Sequence, residues 1–223
     1  MKKSSNFLKY EEQREKGTYA ALQQDFFACV MNSRKKGGVY VDIGCRDPYI
    51  GNNTWFLEEN YGWRGISLDI VDYSNAWRER ESVFIQSDAL KDDMLQIFKK
   101  NNLPKVIDYL THDIEGNGDR YQSLIRLPFD EYEFKVITIE HDAYRGYIET
   151  ERNPQRIFLK SRGYKLISSN VKSWAGDVME DWWINPKYVD SEVYSSFISK
   201  GKKYKKIFKE AEYDMNILFD SGE

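Results

Sequence analysis

The sequence has little of what marks secreted, membrane-spanning or nucleic-acid-binding proteins. Two cysteines, Cys29 and Cys45, provide neither a disulfide framework nor metal-ligand spacing. No apolar run reaches the 18 residues of a membrane helix, and residues 1–17 are rich in Lys and Glu, unlike a signal peptide. A net charge of −3 argues against a globally basic surface for nucleic acid. We therefore expect a soluble cytoplasmic protein, with nucleic acid and membrane disfavoured as partners.

Apolar sequence is plentiful enough for one packed domain. The 223 residues are 41% hydrophobic and 15% aromatic, which suits a single three-layer α/β core. We expect one domain over residues 1–223, with an N-terminal helical segment (1–37), a core (38–186) and a C-terminal helical extension (187–223). The sequence leaves the oligomeric state open.

Strand and helix patterns alternate along the core, which predicts a doubly wound, mostly parallel sheet with helices on both faces. Strands are predicted at Val39–Ile43, Gly65–Leu68, Val83–Gln86, Val106–Thr111, Phe134–Glu140, Tyr164–Ser168 and Val178–Ile184. Helices are predicted at Thr18–Asn32, Asn53–Tyr61, Ala89–Lys100, Asp119–Arg126, Pro154–Arg162 and Asp190–Phe208.

The segment from Val39 to Asp69 carries the clearest functional signal. A strand ends in Asp-Ile-Gly44, and a Gly/Asn-rich turn then leads into a helix capped by Asn52 or Asn53. Gly44 has no Cβ, so the backbone can pass close to a ligand, and the helix directs N–H groups at the same place. Asp69 ends the next strand, where such folds place a carboxylate for ribose hydroxyls. The segment predicts a nucleotide-type cofactor.

The loop after Gly44 indicates which cofactor. Cys45, Arg46, Asp47 and Pro48 follow it, so the glycine pattern that cradles a pyrophosphate is absent from the sequence. Asp42 would repel a phosphate but favours an amine-bearing or positively charged ligand. S-adenosylmethionine carries both an ammonium and a sulfonium, which makes it the leading candidate.

A series of motifs in residues 38–186 resembles the FkbM-like S-adenosylmethionine-dependent methyltransferases. The motifs are Asp42-Ile-Gly44, Gly51-Asn-Asn-Thr54, Gly62-Trp-Arg-Gly65, Ile107-Asp-Tyr-Leu-Thr-His-Asp-Ile-Glu-Gly116, Val136-Ile-Thr-Ile-Glu-His141, Gly163-Tyr-Lys-Leu166 and Glu180-Asp-Trp-Trp183. The resemblance implies an enzyme with the class I methyltransferase (Rossmann-like) fold, whose last two strands form an antiparallel edge.

The resemblance also implies which residues bind the cofactor. Asp42 and Gly44 would hold the methionine moiety, Asp69 the ribose, and Asp88 with Ala89 the adenine amine. Arg46 and Thr54, from the same loop and helix start as Gly44, complete the predicted set. For Asp88 an N-cap role, for a helix starting near Leu90, is an equal alternative.

Acids and a histidine end the fourth and fifth predicted strands, as in divalent-cation-dependent O-methyltransferases of the catechol type. We take Asp113, Glu140 and His141 as candidate catalytic residues and as candidate ligands for Mg²⁺ or Mn²⁺. Alternatively, Asp113 caps the next helix, and His141 is a general base or a polar residue at the rim. His112 lies inside its strand, and Trp182 and Trp183 point to opposite faces of theirs, so core packing is expected for all three.

The predicted function is O-methyl transfer from S-adenosylmethionine to a hydroxyl of a sugar, glycan or secondary metabolite, which is a small-molecule or carbohydrate acceptor. Methylation of nitrogen or of a nucleic acid is an alternative that only the basic stretch Lys200–Lys209 favours. A third alternative is a cofactor-binding interaction module without catalysis.

Overall fold

Strands and helices alternate through the residues that the structure, a computed structural model, describes: 19–173 and 175–199. The strands are β1 (Val39–Ile43), β2 (Arg64–Asp69), β3 (Val83–Gln86), β4 (Val106–His112), β5 (Glu133–Glu140), β6 (Lys165–Lys172) and β7 (Val178–Ile184). The α-helices are α1 (Gln24–Met31), α2 (Trp55–Tyr61), α3 (Met94–Lys100), α4 (Asp119–Arg126), α5 (Asn153–Ser161) and α6 (Ser191–Ser199). A π-helical turn, Ile148–Arg152, runs directly into α5.

All seven strands form one sheet in the order β3-β2-β1-β4-β5-β7-β6. The first five of these are parallel neighbours, whereas β7 runs antiparallel to both β5 and β6. The predicted fold is therefore confirmed, including the antiparallel edge formed by the last two strands. Because β1 lies between β2 and β4, the chain leaves it in one direction and later returns on its other side, which opens a crevice above its carboxyl end.

Each face of the sheet is covered by its own apolar core, and side-chain alternation along the strands assigns residues to the two cores. Val41 and Ile43 pack on one face with Phe98, whereas Tyr40 packs on the other with Phe27. Trp183 belongs to the first core and Trp182 to the second. His112 is buried with a ring nitrogen 2.7 Å from Ser123 Oγ. The core positions expected for both tryptophans and for His112 are confirmed.

Polar side chains, rather than the apolar pattern, decide where several helices begin. The helix predicted from Ala89 begins at Met94, because the Asp93 carboxylate accepts the N–H of Gln96 and caps it. The helix predicted from Thr18 begins at Gln24, because the preceding chain folds back onto the Asp25 carboxylate.

The start of α2 shows the same effect. Asn52 Oδ1 accepts the N–H groups of Thr54 and Trp55, as predicted for one of the two asparagines, so the helix begins at Trp55. Residues 1–18, the part of the predicted helix beyond Ser199, and the basic stretch Lys200–Lys209 lie outside the described residues. No helix among the described residues is long and apolar enough to cross a membrane.

Candidate cofactor and acceptor site

A cleft of about 380 Å³ lies at the carboxyl ends of the parallel strands, beside the reversal of strand order. Six of the site residues predicted from the sequence line it: Gly44, Arg46, Asp69, Asp88, Ala89 and Asp113. Apolar side chains from the same edge also line it, among them Leu68, Ile70, Val71, Leu90 and Ile114. The cleft thus combines a few polar groups with an apolar wall, which is typical of small-molecule sites.

Asp69 presents a fixed carboxylate to this cleft. Its Oδ2 accepts the N–H of Arg46 at 3.0 Å, and its Oδ1 accepts the N–H of Val71 at 2.9 Å. A carboxylate has about four acceptor positions, so the two backbone bonds orient it while leaving acceptors for a ligand's hydroxyl groups. The side chain is 8% exposed. The structure therefore places Asp69 where a ribose-binding acid is predicted.

Gly44 marks a close approach between two segments of the chain. Its φ is +83°, and an added Cβ would lie 1.8 Å from the carbonyl oxygen of Asp113. Its N–H donates to Leu68 O at 2.8 Å, so the turn is also held to β2. A side chain at position 44 would therefore clash with the backbone just after β4. The sequence motif does not reveal this constraint.

Asp88 and Ala89 line the cleft beyond Asp69. Asp88 Oδ1 accepts the N–H of Leu90 at 3.0 Å, and Lys91 Nζ lies 2.8 Å from Asp88 Oδ2. The hydrogen bond from Lys91 holds the pKa of Asp88 below its usual value. The carboxylate closes a local turn and does not cap a helix near Leu90, because α3 begins further along the chain.

Asp42 and Thr54 lie beneath the loop and not on the surface of the cleft. Thr54 is fully buried, and its Oγ1 lies 3.2 Å from Asp42 Oδ2. Burial raises the pKa of Asp42 to about 7. Their direct contact with a cofactor stays a prediction.

Arg80, which the sequence did not single out, braces this loop. It is buried between the rings of Trp55 and Trp77, with its Cζ 4.9 and 4.5 Å from their centroids. Its Nη1 donates to Pro48 O at 2.5 Å, and its Nη2 donates to Thr54 Oγ1 at 3.2 Å and lies 3.1 Å from Glu58 Oε2. One guanidinium thus joins the loop after Gly44 to the start of α2. No local motif marks an arginine for this role.

A cluster of carboxyl groups lies beside the cleft at the ends of β4, β5 and β7. Asp113 shares a hydrogen bond with Glu140, and Glu140 is the cross-strand neighbour of Glu180. Burial, followed by the charge of Asp113, raises the pKa of Glu140 to about 8. Burial likewise raises the pKa of Glu180 to about 8, although the hydrogen bonds that it accepts from Trp182 Nε1 and Gln24 Nε2 act to lower it. At neutral pH this cluster therefore retains protons.

Arg120, also missed by the sequence reasoning, supplies the positive charge of this cluster. Its side chain is fully buried, and its Nε and Nη2 donate to Glu140 Oε2 at 3.0 and 2.6 Å. Its Nη2 also donates to Asp142 Oδ2 at 2.9 Å, and its Nη1 donates to Gly116 O at 2.8 Å. The guanidinium therefore lies between the carboxylates of Glu140 and Asp142.

His141 does not join Asp113 and Glu140, so the predicted metal trio is not assembled. The ring is fully buried; its Nδ1 accepts the N–H of Ala143 at 3.2 Å, and its Nε2 lies 3.5 Å from Asp181 Oδ1. Successive residues at a strand end point to opposite faces, which separates His141 from Glu140. Within residues 19–173 and 175–199, no group of three or more His, Cys, Asp or Glu side chains is arranged to hold a metal ion. The donor set does not fit a divalent cation.

Comparison with solved structures shows the fold. The chain resembles the O-methyltransferase from Bacillus cereus, solved with S-adenosylhomocysteine (SAH), with a TM-score of 0.56 at 13% identity, over 83% of this chain and 92% of that one. Fibrillarin from Aeropyrum pernix, with bound S-adenosylmethionine, matches at TM-score 0.48 and 13% identity, covering 74% of this chain and 76% of that one. A methyltransferase from Archaeoglobus fulgidus matches at TM-score 0.42 and 17% identity, over 92% and 94%.

The last two TM-scores lie below 0.5, so these two similarities do not establish a shared fold. The first shows that this chain has the class I methyltransferase fold. No protein-family model matches the sequence, and no curated protein matches it.

Proposed function

We propose that this protein is an S-adenosylmethionine-dependent O-methyltransferase related to the FkbM-like enzymes. The observation that carries the proposal is Asp69, a fixed carboxylate that faces a partly apolar cleft at the strand ends of a methyltransferase fold. Two of the motifs that resemble the family, those containing Gly44 and Asp113, meet at this cleft.

The residues of the cleft fit the cofactor. Asp69 would accept hydrogen bonds from the ribose hydroxyls, and Ile70, Val71 and Leu90 would pack against the adenine beside Ala89. Arg46 lines the same cleft with an exposed side chain, available to the methionine carboxylate. The bound cofactor would supply a methyl group activated by a positively charged sulfur.

Asp113 is the proposed proton acceptor for the methyl-accepting hydroxyl. It lines the cleft and shares a hydrogen bond with Glu140; burial raises the pKa of Asp113, and this hydrogen bond opposes the rise. With Glu140 as the donor of the shared hydrogen bond, Asp113 would carry the negative charge and act as the base. Because Arg120 occupies the cation position, we assign no step to a divalent ion.

A methyl-release assay over a panel of hydroxylated sugars, glycans and secondary metabolites tests this function. Asp113→Asn removes the base and should reduce turnover by about 10²–10⁴-fold. Glu140→Gln still offers a hydrogen-bond donor to Asp113 and should lose much less. Both variants should bind SAH like the wild type. Full activity of Asp113→Asn would exclude it as the base, and SAH binding with no methyl release from any acceptor would favour the interaction module.

Other acceptors and the cellular location remain open to experiment. The acceptor class (a small molecule or carbohydrate) and the cytoplasmic location stay predictions from the sequence. Methylation of nitrogen or nucleic acid stays the second alternative, and the basic stretch that favours it lies outside the described residues. Adding amines and RNA to the acceptor panel decides between these acceptor classes.

A further inference from the structure

The guanidinium of Arg120 joins the start of α4 to the end of β5 and the loop that follows, on the side of the cleft where Asp113 lies, which is the acceptor side in the proposed function. Its donors reach Glu140 at the end of β5, Asp142 in the following loop, and the carbonyl of Gly116 before α4, all at 2.6–3.0 Å. No part of the side chain is exposed. An arginine buried to this extent is stable only when charged partners and hydrogen bonds replace its hydration.

The backbone of Arg120 is fixed as firmly as its side chain. The buried carboxylate of Glu151, in the π-helical turn before α5, accepts the N–H of Arg120 at 3.3 Å and that of Tyr121 at 2.7 Å. Glu151 therefore occupies the amino end of α4, where an anionic ligand could otherwise bind. The first turn of α4 is thus held by contacts within the protein, and the guanidinium of Arg120 points towards Glu140 and Asp142.

Arg120 contacts an oxygen atom of Glu140, which is a candidate metal ligand, and an oxygen atom of the neighbouring Asp142. Glu140 Oε2 receives two of its N–H groups, and Asp142 Oδ2 receives one. Burial alone would lower the pKa of Arg120, but the carboxylates, Glu140 first, raise it above its usual value. A permanent positive charge at this point repels a second cation.

We propose that Arg120 is the resident cation of the acceptor side of the cleft, a positioning residue that holds Glu140 against Asp113 in the place of a divalent metal ion. Arg120 acts through Glu140, and Glu140 acts on Asp113, which alone of the three lines the cleft. This role of Arg120 belongs to the proposed methyl transfer, and only the activity measurements that test it rest on that function.

Metal binding tests the inference without any activity assay. Titration of the metal-stripped wild-type chain with Mn²⁺, followed by electron paramagnetic resonance, should show no saturable site. One saturable Mn²⁺ site per chain that Asp113→Asn or Glu140→Gln removes would overturn the inference. Since this measurement needs no acceptor, it decides the inference even if the proposed function fails.

Activity gives the second test once an acceptor is known. Excess EDTA should leave wild-type turnover unchanged, and Arg120→Met should lower kcat at least tenfold while SAH affinity is kept. Arg120→Lys retains the charge without the planar fork, so it should recover part of the lost kcat. The control is Arg126→Met, in the exposed last turn of the same helix, which should behave like the wild type.

Two outcomes of the activity test would contradict the inference. The first is loss of turnover on chelation with recovery on adding Mg²⁺ or Mn²⁺. The second is a wild-type kcat in Arg120→Met. If Arg120→Met does not fold, the wild-type chelation and Mn²⁺ measurements still decide.

Discussion

Asp42 and Asp69 lie near the carboxyl ends of neighbouring strands but in different surroundings. Asp69 faces the cleft with both oxygens held by backbone amides, whereas Asp42 is buried against Thr54 beneath the loop. The motif around Gly44 predicts both acids, but it cannot tell which one is exposed to a ligand. The tertiary contacts show it: Thr54, which lies against Asp42, also accepts a hydrogen bond from Arg80, a residue far from the motif in sequence.

Substitution of Arg80 tests whether its buried ion pair stabilises the fold. Arg80→Met leaves Glu58 buried without its charged partner, so the free energy of unfolding should fall by about 3–5 kcal/mol. Arg64→Met removes an arginine whose ion pair with Glu81 is exposed, so it should cost no more than about 1 kcal/mol. Urea unfolding of both variants checks this. Equal losses would mean that the guanidinium of Arg80 does not brace the loop.

The candidate catalytic residues were predictable only in part. Asp113 and Glu140 end adjacent parallel strands, so their proximity follows from the predicted sheet, and the structure brings them together. His141 was grouped with them wrongly, because its position after Glu140 turns its ring towards Asp181. Arg120 stands on a helix with no motif around it, and only the tertiary structure reveals that it fills the cluster.

At the scale of elements, the strands were predicted better than the helices. Runs of β-branched and aromatic residues gave strands close to those observed, such as Val39–Ile43 and Val83–Gln86, which match in full. Helix starts depended on side-chain caps such as Asp93. Several polar residues near each start could act as the cap, and the sequence does not show which one does. The π-helical turn before α5 has no pattern of its own, since Glu151 within it is fixed by contact with α4.

Substitution of Gly44 tests the close approach between the turn after β1 and the end of β4. Gly44→Ala would place a Cβ 1.8 Å from the carbonyl oxygen of Asp113 at a positive φ, so we expect a loss of more than about 3 kcal/mol in the free energy of unfolding. Gly51→Ala, at φ +67° with nothing within 4 Å of the added Cβ, should cost only about 1 kcal/mol of backbone strain. Chemical denaturation of both variants separates steric contact from strain, and similar losses would contradict the close approach.

For the whole molecule, the strand order explains why the functional groups converge. The cleft and the carboxyl cluster lie at the same edge of the sheet, and Asp113 belongs to both. The alternation of strands and helices predicted this edge correctly. It could not predict the two buried guanidiniums that organise the edge, because each is defined by partners from distant parts of the chain.

The buried acids predict a pH dependence of stability. Burial raises the folded-state pKa of Asp42 to about 7 and those of Glu140 and Glu180 to about 8, whereas their unfolded values are about 4. The folded chain therefore binds extra protons, and this stabilising contribution, full below about pH 4, is lost as pH rises through 7 and 8. The free energy of unfolding should fall between about pH 5 and pH 8.

Glu180→Gln should flatten that decline, and the exposed substitution Glu79→Gln should not. Urea unfolding at several pH values measures both slopes. A stability that rises with pH over this range, with the same slope in Glu180→Gln, would contradict the protonated cluster.

Calorimetric titration of the protein with SAH tests the cofactor site directly. We predict one site per chain in the wild type, and binding weakened by about 1.5–3 kcal/mol in Asp69→Ala, because a charge-assisted hydrogen bond is lost. Asp72→Ala, which removes an exposed acid three residues further along the chain, should bind like the wild type. Absence of SAH binding by the wild type, or equal affinity in Asp69→Ala and Asp72→Ala, would contradict a cofactor site in this cleft.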